Sequence, residues 1–515
     1  MTSPLPLAPV YTGEQVRAAE APLLDSGRGP ELMRRASWGL AAGVLRILRG
    51  QAARPGMGSA SGSSGRGHGS RIPVPRIYGA RVTGLIGSGN NGGDGLWALT
   101  FLRRRGVDAT AVLTRGRAHQ GALQAFLKAG GRVVEEIPQQ VEVVIDAVLG
   151  TGFRGEFRAP PIPDEAVVVA CDLPSGVDAD TGEVRGSAPA AEHTVTFGGL
   201  KLGLLTGDGG HLSGRLHAVD IGLGGHLSTP RAQLLSPGWD PASFWSPPQS
   251  VDHKYSRGTV HVLAGSQQYP GAAQLTVGAA LSTGAGMVTL EAAEEVRRQV
   301  LAAAPEVVAV PTGAVDLGER LEKAGAVVVG PGLGDQAAHL EAASETVREA
   351  VRRRRPCVVD ASALALVPEL TLGAEVVLTP HVGEARRMAR GLGLAGVEGL
   401  LSTDPVAAAE ALAERTGATV LLKGATTVIA SAGAETLLHR AQAPGLAAAG
   451  SGDVLSGVLG AVLATQQDQL TVAERAALAV GLHAQAAQRV DPQGQGHFGA
   501  SALVAGLGSA AHGSV

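Results

Sequence analysis

Cysteine is nearly absent from this 515-residue chain: Cys171 and Cys357 are the only two. Each lies shortly before an aspartate at the end of an apolar run, and they fall in different halves. They do not read as a disulfide, and a reducing, cytoplasmic setting is expected. Excess charge of one sign is also lacking. The net charge of −3 leaves no basic field for nucleic acid, so no nucleic-acid partner is expected. Met1-Thr-Ser-Pro-Leu-Pro6 has neither the basic start nor the apolar core of a signal peptide. Residues 258–290 contain no Asp, Glu, Lys or Arg, but Gly265-Ser-Gln-Gln-Tyr-Pro-Gly271 interrupts them. They read as strand, loop and buried helix, and no membrane partner is expected. Lysine is scarce as well. Of 43 basic residues five are lysine, at 128, 201, 254, 323 and 423. Where arginine supplies generic surface charge, lysine can be kept for places that need a compact ammonium. Lys128 and Lys323 sit in helical surface patterns, whereas Lys201, Lys254 and Lys423 lie beside glycine-rich or motif residues and are functional candidates.

The length predicts two to four domains. Strand-like apolar runs at 81–86, 109–114, 143–149, 166–171, 193–197 and 217–221 alternate with helical patterns. That alternation predicts a parallel sheet covered by helices on both faces. Residues 50–76, rich in Gly, Ser, Arg and Pro without apolar periodicity, read as a disordered surface insertion. Prolines 230, 237, 241, 247 and 248 mark a linker over 226–250, and a second alternating α/β pattern follows. The expected domains are therefore 1–225 and 251–515.

Within the first domain, Gly87-Ser-Gly-Asn90-Asn91-Gly92-Gly93-Asp94-Gly95 follows the strand Arg81-Val-Thr-Gly-Leu-Ile86 and opens a helix. A strand, a glycine turn and a helix start let backbone N–H groups approach an anion. Asn90, Asn91 and Asp94 crowd this loop with oxygen, which also suits a cation or sugar hydroxyls. After the next strand comes Arg115, where a typical dinucleotide dehydrogenase carries an acidic residue for the ribose. In the second domain, Gly330-Pro-Gly332-Leu-Gly334, Thr379-Pro-His381-Val-Gly-Glu384 and Leu421-Leu-Lys423-Gly-Ala-Thr-Thr427 precede Gly450-Ser-Gly452-Asp453. Glycines at a helix start expose N–H groups to a developing phosphate charge, and Asp453 there can take a hydroxyl proton. Taken alone, the same motif reads equally well as a capped helix.

The glycine loop, with Val144-Ile-Asp146-Ala-Val-Leu-Gly150-Thr-Gly152 and Asp172-Leu-Pro-Ser175-Gly-Val-Asp178, resembles the YjeF N-terminal domain. The later motifs, in their order, resemble the YjeF C-terminal domain of the ribokinase-like superfamily. The resemblance departs from the family at Val382, where a second proline is usual, and at Ala443-Pro-Gly-Leu-Ala-Ala-Ala449, which lacks an Asn-Gly. It implies an α/β chain of two domains, a Rossmann-like three-layer α/β/α domain and a ribokinase-like one. It also implies two activities: epimerisation of the R and S forms of hydrated NADH and NADPH (NADHX and NADPHX), and dehydration of the S form at the expense of ADP, giving AMP and phosphate.

The roles implied by the resemblance are these. Asn91, Asp146 and Ser175 would hold a potassium ion (K+), and Asn90, Asn91, Gly92, Gly93 and Asp94 would cradle the hydrate. The run Gly150, Thr151, Gly152, Phe153, Arg154, Gly155 and Glu156 would complete that cradle. Asp172 would touch substrate as acid/base, or else merely cap a turn before Pro174, and Lys201 would neutralise a phosphate. In the second domain Asp453 would be the base, with Gly452 at the transferred phosphoryl group. Lys423, Gly424, Ala425, Thr426 and Thr427 would hold the AMP portion, and Ala272, Gly332 and His381 the hydrated nicotinamide. Magnesium (Mg2+) is expected with the nucleotide phosphates, and a homo-oligomer is expected. Two other readings remain open: a ribokinase-like small-molecule kinase fused to a nucleotide-binding domain, and a non-catalytic first domain. The intact set of Asn91, Asp146 and Ser175 speaks against the latter, since a scaffold needs no cation cage.

Overall fold

The computed structural model describes residues 3–50, 76–153, 155–236, 238–245, 249–313, 316–441, 443–465 and 469–510. The expected insertion at 50–76 lies, but for its two end residues, outside the described residues, as does Arg154. The described residues form two compact units, one of 9–50 with 76–232 and the other of 3–8 with 233–510.

In the N-terminal unit seven strands pair in the order Arg132–Val134, Asp108–Leu113, Arg81–Ile86, Val143–Ala147, Val167–Cys171, His193–Phe197, Arg215–Val219. Every neighbouring pair is parallel. The order reverses between Arg81–Ile86 and Val143–Ala147, which opens a crevice at the carboxyl ends of those strands. Alternate residues face opposite ways. Val82, Ile86, Val143 and Ile145 meet helices Gly29–Leu48 and Asn90–Arg103 in the main core. Leu85 and Val144, on the other face, meet the loop residues Ile137, Leu149, Phe157 and Ile162. The crossover that supplies these loop residues carries Pro160, Pro161 and Pro163, which cannot continue a helix.

In the C-terminal unit the pairing order is Val308–Val310, Met287–Glu291, Thr259–Leu263, Ala326–Val329, Cys357–Val359, Val376–Leu378, Thr419–Leu422, Thr426–Ala430, Leu437–Arg440. The first seven are parallel, and the last two form antiparallel pairs. Part of the stretch expected as a linker is built into this unit: Gln233 and Leu234 pair with Leu437 and Leu438. Trp245 is buried in the core. The apolar Leu234 and Leu235, lying between prolines 230 and 237, favour a short strand over a free tether. Helix Ser451–Ala464 is buried on nearly every side, as its all-round apolar pattern requires.

That helix can approach helix Pro270–Thr283 closely because Gly457 has no side chain; a Cβ there would lie 2.1 Å from the Thr276 carbonyl oxygen. Gly457→Ala is expected to destabilise the C-terminal unit by about 1–3 kcal/mol through overpacking, read from the midpoint of chemical denaturation. An unchanged midpoint would show that the two helices part freely.

Candidate active sites

Helix Asn90–Arg103 begins at Gly89 without a side-chain cap, so its first N–H groups are available to a ligand. A Cβ on Gly89 would meet nothing within 4 Å, so the turn is open on its outer side. The Asn91 amide nitrogen donates to the Leu149 carbonyl oxygen at 2.8 Å, and the Leu149 N–H donates to Ser175 Oγ at 2.9 Å. Asp146, wholly buried, accepts from the Ser175 N–H at 2.7 Å and from its hydroxyl at 2.6 Å. Asn91, Asp146 and Ser175, distant in sequence, are thus brought together at the carboxyl ends of three strands.

Burial pushes the Asp146 carboxyl above its ordinary range, with the two Ser175 hydrogen bonds opposing. Among the described residues no cation pairs with it. One buried carboxylate, an amide oxygen and a hydroxyl can hold a monovalent cation. A divalent ion would usually recruit more carboxylates, and no group of three or more His, Cys, Asp or Glu suited to a metal occurs among the described residues.

Asp172 has φ 69°, a conformation that non-glycine residues adopt uncommonly. Its carboxylate accepts from Lys201 Nζ at 2.5 Å, Thr196 Oγ1 at 3.2 Å and the Phe197 N–H at 3.2 Å. Lys201 is 1% exposed and also donates to Phe197 O at 2.6 Å and Thr196 Oγ1 at 3.0 Å. All three ammonium protons are therefore committed inside the protein. The expectation that Lys201 neutralises a substrate phosphate is corrected: its partner is Asp172.

Helix Gly13–Asp25 contributes two residues that sequence reasoning missed. Arg17 Nη1 donates to the Thr151 carbonyl oxygen at 2.6 Å, inside the expected cradle. Burial pushes Glu20 up, Lys201 pulls it down and Asp172 adds to the rise. An Arg-x-x-Glu pair on a helix is the ordinary surface pattern, so nothing local distinguishes it. Of the cradle, Gly152, Gly155 and Glu156 are exposed, and Gly92 and Gly93 are buried. Asn90 is exposed, and Gly150, Thr151 and Phe153 are half-buried.

In the C-terminal unit three adjacent parallel strands each release a polar residue at the carboxyl end: Asp360, Thr379 and Lys423. Asp360 accepts from Lys423 Nζ at 2.9 Å, Thr379 Oγ1 at 2.8 Å and Ser456 Oγ at 2.8 Å. Burial pushes its carboxyl up, but the Lys423 charge and these hydrogen bonds bring it below the usual range. Helix Ser451–Ala464 starts at Gly450, φ 86°, with no side-chain cap. Two residues in, Asp453 is pushed up to about 6 by burial and by the Asp360 charge, with Lys423 opposing. A Cβ on Gly452 would lie 3.5 Å from Lys423 Nζ, so the lysine, the glycine turn and Asp453 share one place.

Thr276 Oγ1 donates to the Asp453 carbonyl oxygen at 3.1 Å, tying in the helix that carries Ala272. Gly332 is adjacent to Ala272, since its Cβ would sit 2.5 Å from that of Ala272. Gly424 and Ala425 form the exposed turn between strands Thr419–Leu422 and Thr426–Ala430, and Thr427 is buried. His381 caps helix Val382–Gly391, its Nδ1 accepting from the Gly383 and Glu384 N–H groups. Lys254 lies exposed 5.1 Å over the Tyr255 ring and joins neither cluster. Asp360, and Glu384 at 3.9 Å from Lys423, were not among the expected site residues. The signal for Asp360 was an apolar run ending in a carboxylate, the same pattern that precedes Asp172.

Residues 30–203 match the family model described as YjeF-related protein N-terminus, and residues 260–502 that of NAD(P)H-hydrate dehydratase. The chain is 42% identical over 473 residues to the bifunctional NAD(P)H-hydrate repair enzyme Nnr of Mycobacterium tuberculosis (strain H37Rv), covering 88% of this chain and 89% of that protein. It belongs to that family. The Escherichia coli K12 enzyme of the same name is 35% identical over 402 residues, 74% of this chain and 75% of that one. Among solved structures, the ADP/ATP-dependent NAD(P)H-hydrate dehydratase from Bacillus subtilis co-crystallised with ATP/Mg2+ is 28% identical, with a TM-score of 0.45 over 52% of this chain and 94% of that one. In this repair-family chain Arg17 and Glu20 precede the residues matched to the N-terminal family model.

Removing Lys201 would leave Asp172 a buried charge without its cation. Lys201→Met is expected to destabilise the N-terminal unit by about 3–5 kcal/mol, with much of the loss recovered in Lys201→Met/Asp172→Asn. Urea denaturation of the two variants checks this; equal losses would mean that the pair is not coupled.

Proposed function

We propose that the chain is a bifunctional repair enzyme: its N-terminal unit interconverts the R and S forms of hydrated NADH and NADPH, and its C-terminal unit dehydrates the S form with ADP. The observation that carries the reading is the meeting of Asp453, Lys423 and an uncapped helix start. Asp453 accepts the proton of the C6 hydroxyl as its oxygen attacks the terminal phosphoryl group of ADP and AMP leaves. The helix N–H groups and Lys423 face the developing phosphate charge. Loss of phosphate from C6 together with a proton from C5 then restores the C5–C6 double bond of the nicotinamide ring. Mg2+ would be held chiefly through the nucleotide's own phosphates. Two buried free thiols fit a reducing, cytoplasmic compartment, and no helix of the described residues is long and apolar enough to cross a membrane.

A base works only when ionised. Since Asp453 titrates at about 6, kcat/KM for dehydration is expected to be flat at higher pH and to fall tenfold per unit below about 6. Asp453→Asn should reduce dehydration by about 10²–10⁴-fold, followed as NADH absorbance with and without ADP, and leave epimerisation intact, followed by chromatographic separation of the R and S forms. A variant dehydrating at the wild-type rate would sink the assignment.

K+ at Asn91, Asp146 and Ser175 is part of the same reading, supported by the uncompensated carboxylate. Because folding raises the Asp146 pKa, its contribution to stability is full at low pH and is lost as pH rises through the folded-state value. A bound cation offsets that loss. At neutral pH, KCl is expected to raise the thermal midpoint above that in choline chloride of equal strength. The difference should fade as pH falls through the raised Asp146 value and vanish in Asp146→Asn. Persistence of the difference in Asp146→Asn would place the potassium effect elsewhere.

A further inference from the structure

We propose that Asp94 is the proton donor, and Asp172 the proton acceptor, of the epimerase site. The proposal rests on the reading that the N-terminal unit epimerises the hydrate and adds which group holds the proton at rest. Interconversion at C6 needs one group of each kind. Asp172 takes the proton of the C6 hydroxyl, the C6–O bond becomes a carbonyl, and the C6–N1 bond breaks with its electron pair on N1, which receives a proton from Asp94. Rotation about C5–C6 presents the opposite face of the carbonyl. N1 then re-forms its bond to C6, returning its proton to Asp94, and the oxygen recovers the other from Asp172. No outside reagent is consumed.

The two carboxyl groups are placed differently enough to take these opposite roles. Asp172 has an ammonium at 2.5 Å and two further donors, a setting for a fixed carboxylate. Asp94 stands in the first turns of helix Asn90–Arg103, and among the described residues the one polar side-chain atom recorded against it is Ser37 Oγ at 3.4 Å, whose hydroxyl proton goes to the Met33 carbonyl oxygen at 2.6 Å. Burial, together with the negative charges of Asp172 and Glu20, holds the Asp94 carboxyl well above the usual carboxylate range. Glu20 is the rival donor: burial and Asp172 raise it too, but Lys201 and Arg17 oppose that rise, whereas the charges acting on Asp94 are both negative. A buried carboxyl without a cation beside one that is ion-paired can divide the roles of acid and base between them.

The test uses the full chain and the purified R form of hydrated NADH, with chromatographic separation of R and S and subtraction of the uncatalysed rate. If wild type does not exceed that rate, the epimerase reading itself fails, independently of Asp94. With an active wild type, Asp94→Asn is expected to lower kcat by about 10²-fold or more, leave KM nearly unchanged and spare dehydration of the S form. The donor must be protonated, so wild-type kcat should fall on the alkaline side. Glu20→Gln, which removes a negative charge that raises Asp94, should move that limb to lower pH. A merely structural or binding role for Asp94 would not move it. Asp94→Asn with raised KM and intact kcat, or a Glu20→Gln variant whose limb is unmoved or whose kcat collapses as a lost donor's would, overturns the proposal. If Asp94→Asn does not fold, the Glu20→Gln profile decides alone.

Discussion

Lys201 and Lys423 each carry an ammonium into the interior, to meet a carboxylate at the carboxyl end of a parallel strand, Asp172 in one unit and Asp360 in the other. A charge removed from water is tolerated only with such a partner and a set of hydrogen bonds. The two ion pairs therefore fix which loops lie together at the strand ends, and the rest of each site is arranged around them. Thr196 and the Phe197 backbone complete the first pair, and Thr379 and Ser456 the second. The scarcity of lysine is consistent with this use, because a compact ammonium with three donors fills a small polar pocket that a planar guanidinium would overfill.

Beside each pair stands a second carboxyl with fewer partners. Asp453 feels the Asp360 charge and is partly relieved by Lys423. Among the described residues Asp94 feels Asp172 and Glu20 without a cation of its own. In both units burial is the larger push on the second carboxyl toward neutrality, and the charge of the paired carboxylate adds to it. Each neighbour lies in the first turns of a helix that begins at a glycine without a side-chain cap. The free N–H groups of that helix start are open to an anionic ligand.

Much of this was legible along the chain. Glycine turns after apolar strands, with Asn90-Asn91 and Asp94 in one and Asp453 in the other, indicate anion-binding helix starts, because the spacing is local and the strand and helix periods differ. Strand positions 81–86, 143–147 and 193–197 follow from apolar runs between glycine and polar turns. Less legible were the short strands Leu7–Tyr11 and Arg132–Val134. Neither run alternates long enough to announce itself, and each is held by its neighbour's hydrogen bonds rather than by its own pattern.

By itself the sequence determined the α/β class, the two-part organisation, the loops that carry chemistry and the family. Those properties are written in composition, period and motif order, each of which is a local quantity. Tertiary structure alone decided the partner of Lys201, the entry of Arg17 and Glu20 into the first site, the pairing of Lys423 with Asp360, and the use of 232–235 as a strand. Each depends on two segments meeting in space. Which oxygen an ammonium finds, and how far a carboxyl is desolvated, are set by packing between residues that no sequence interval relates.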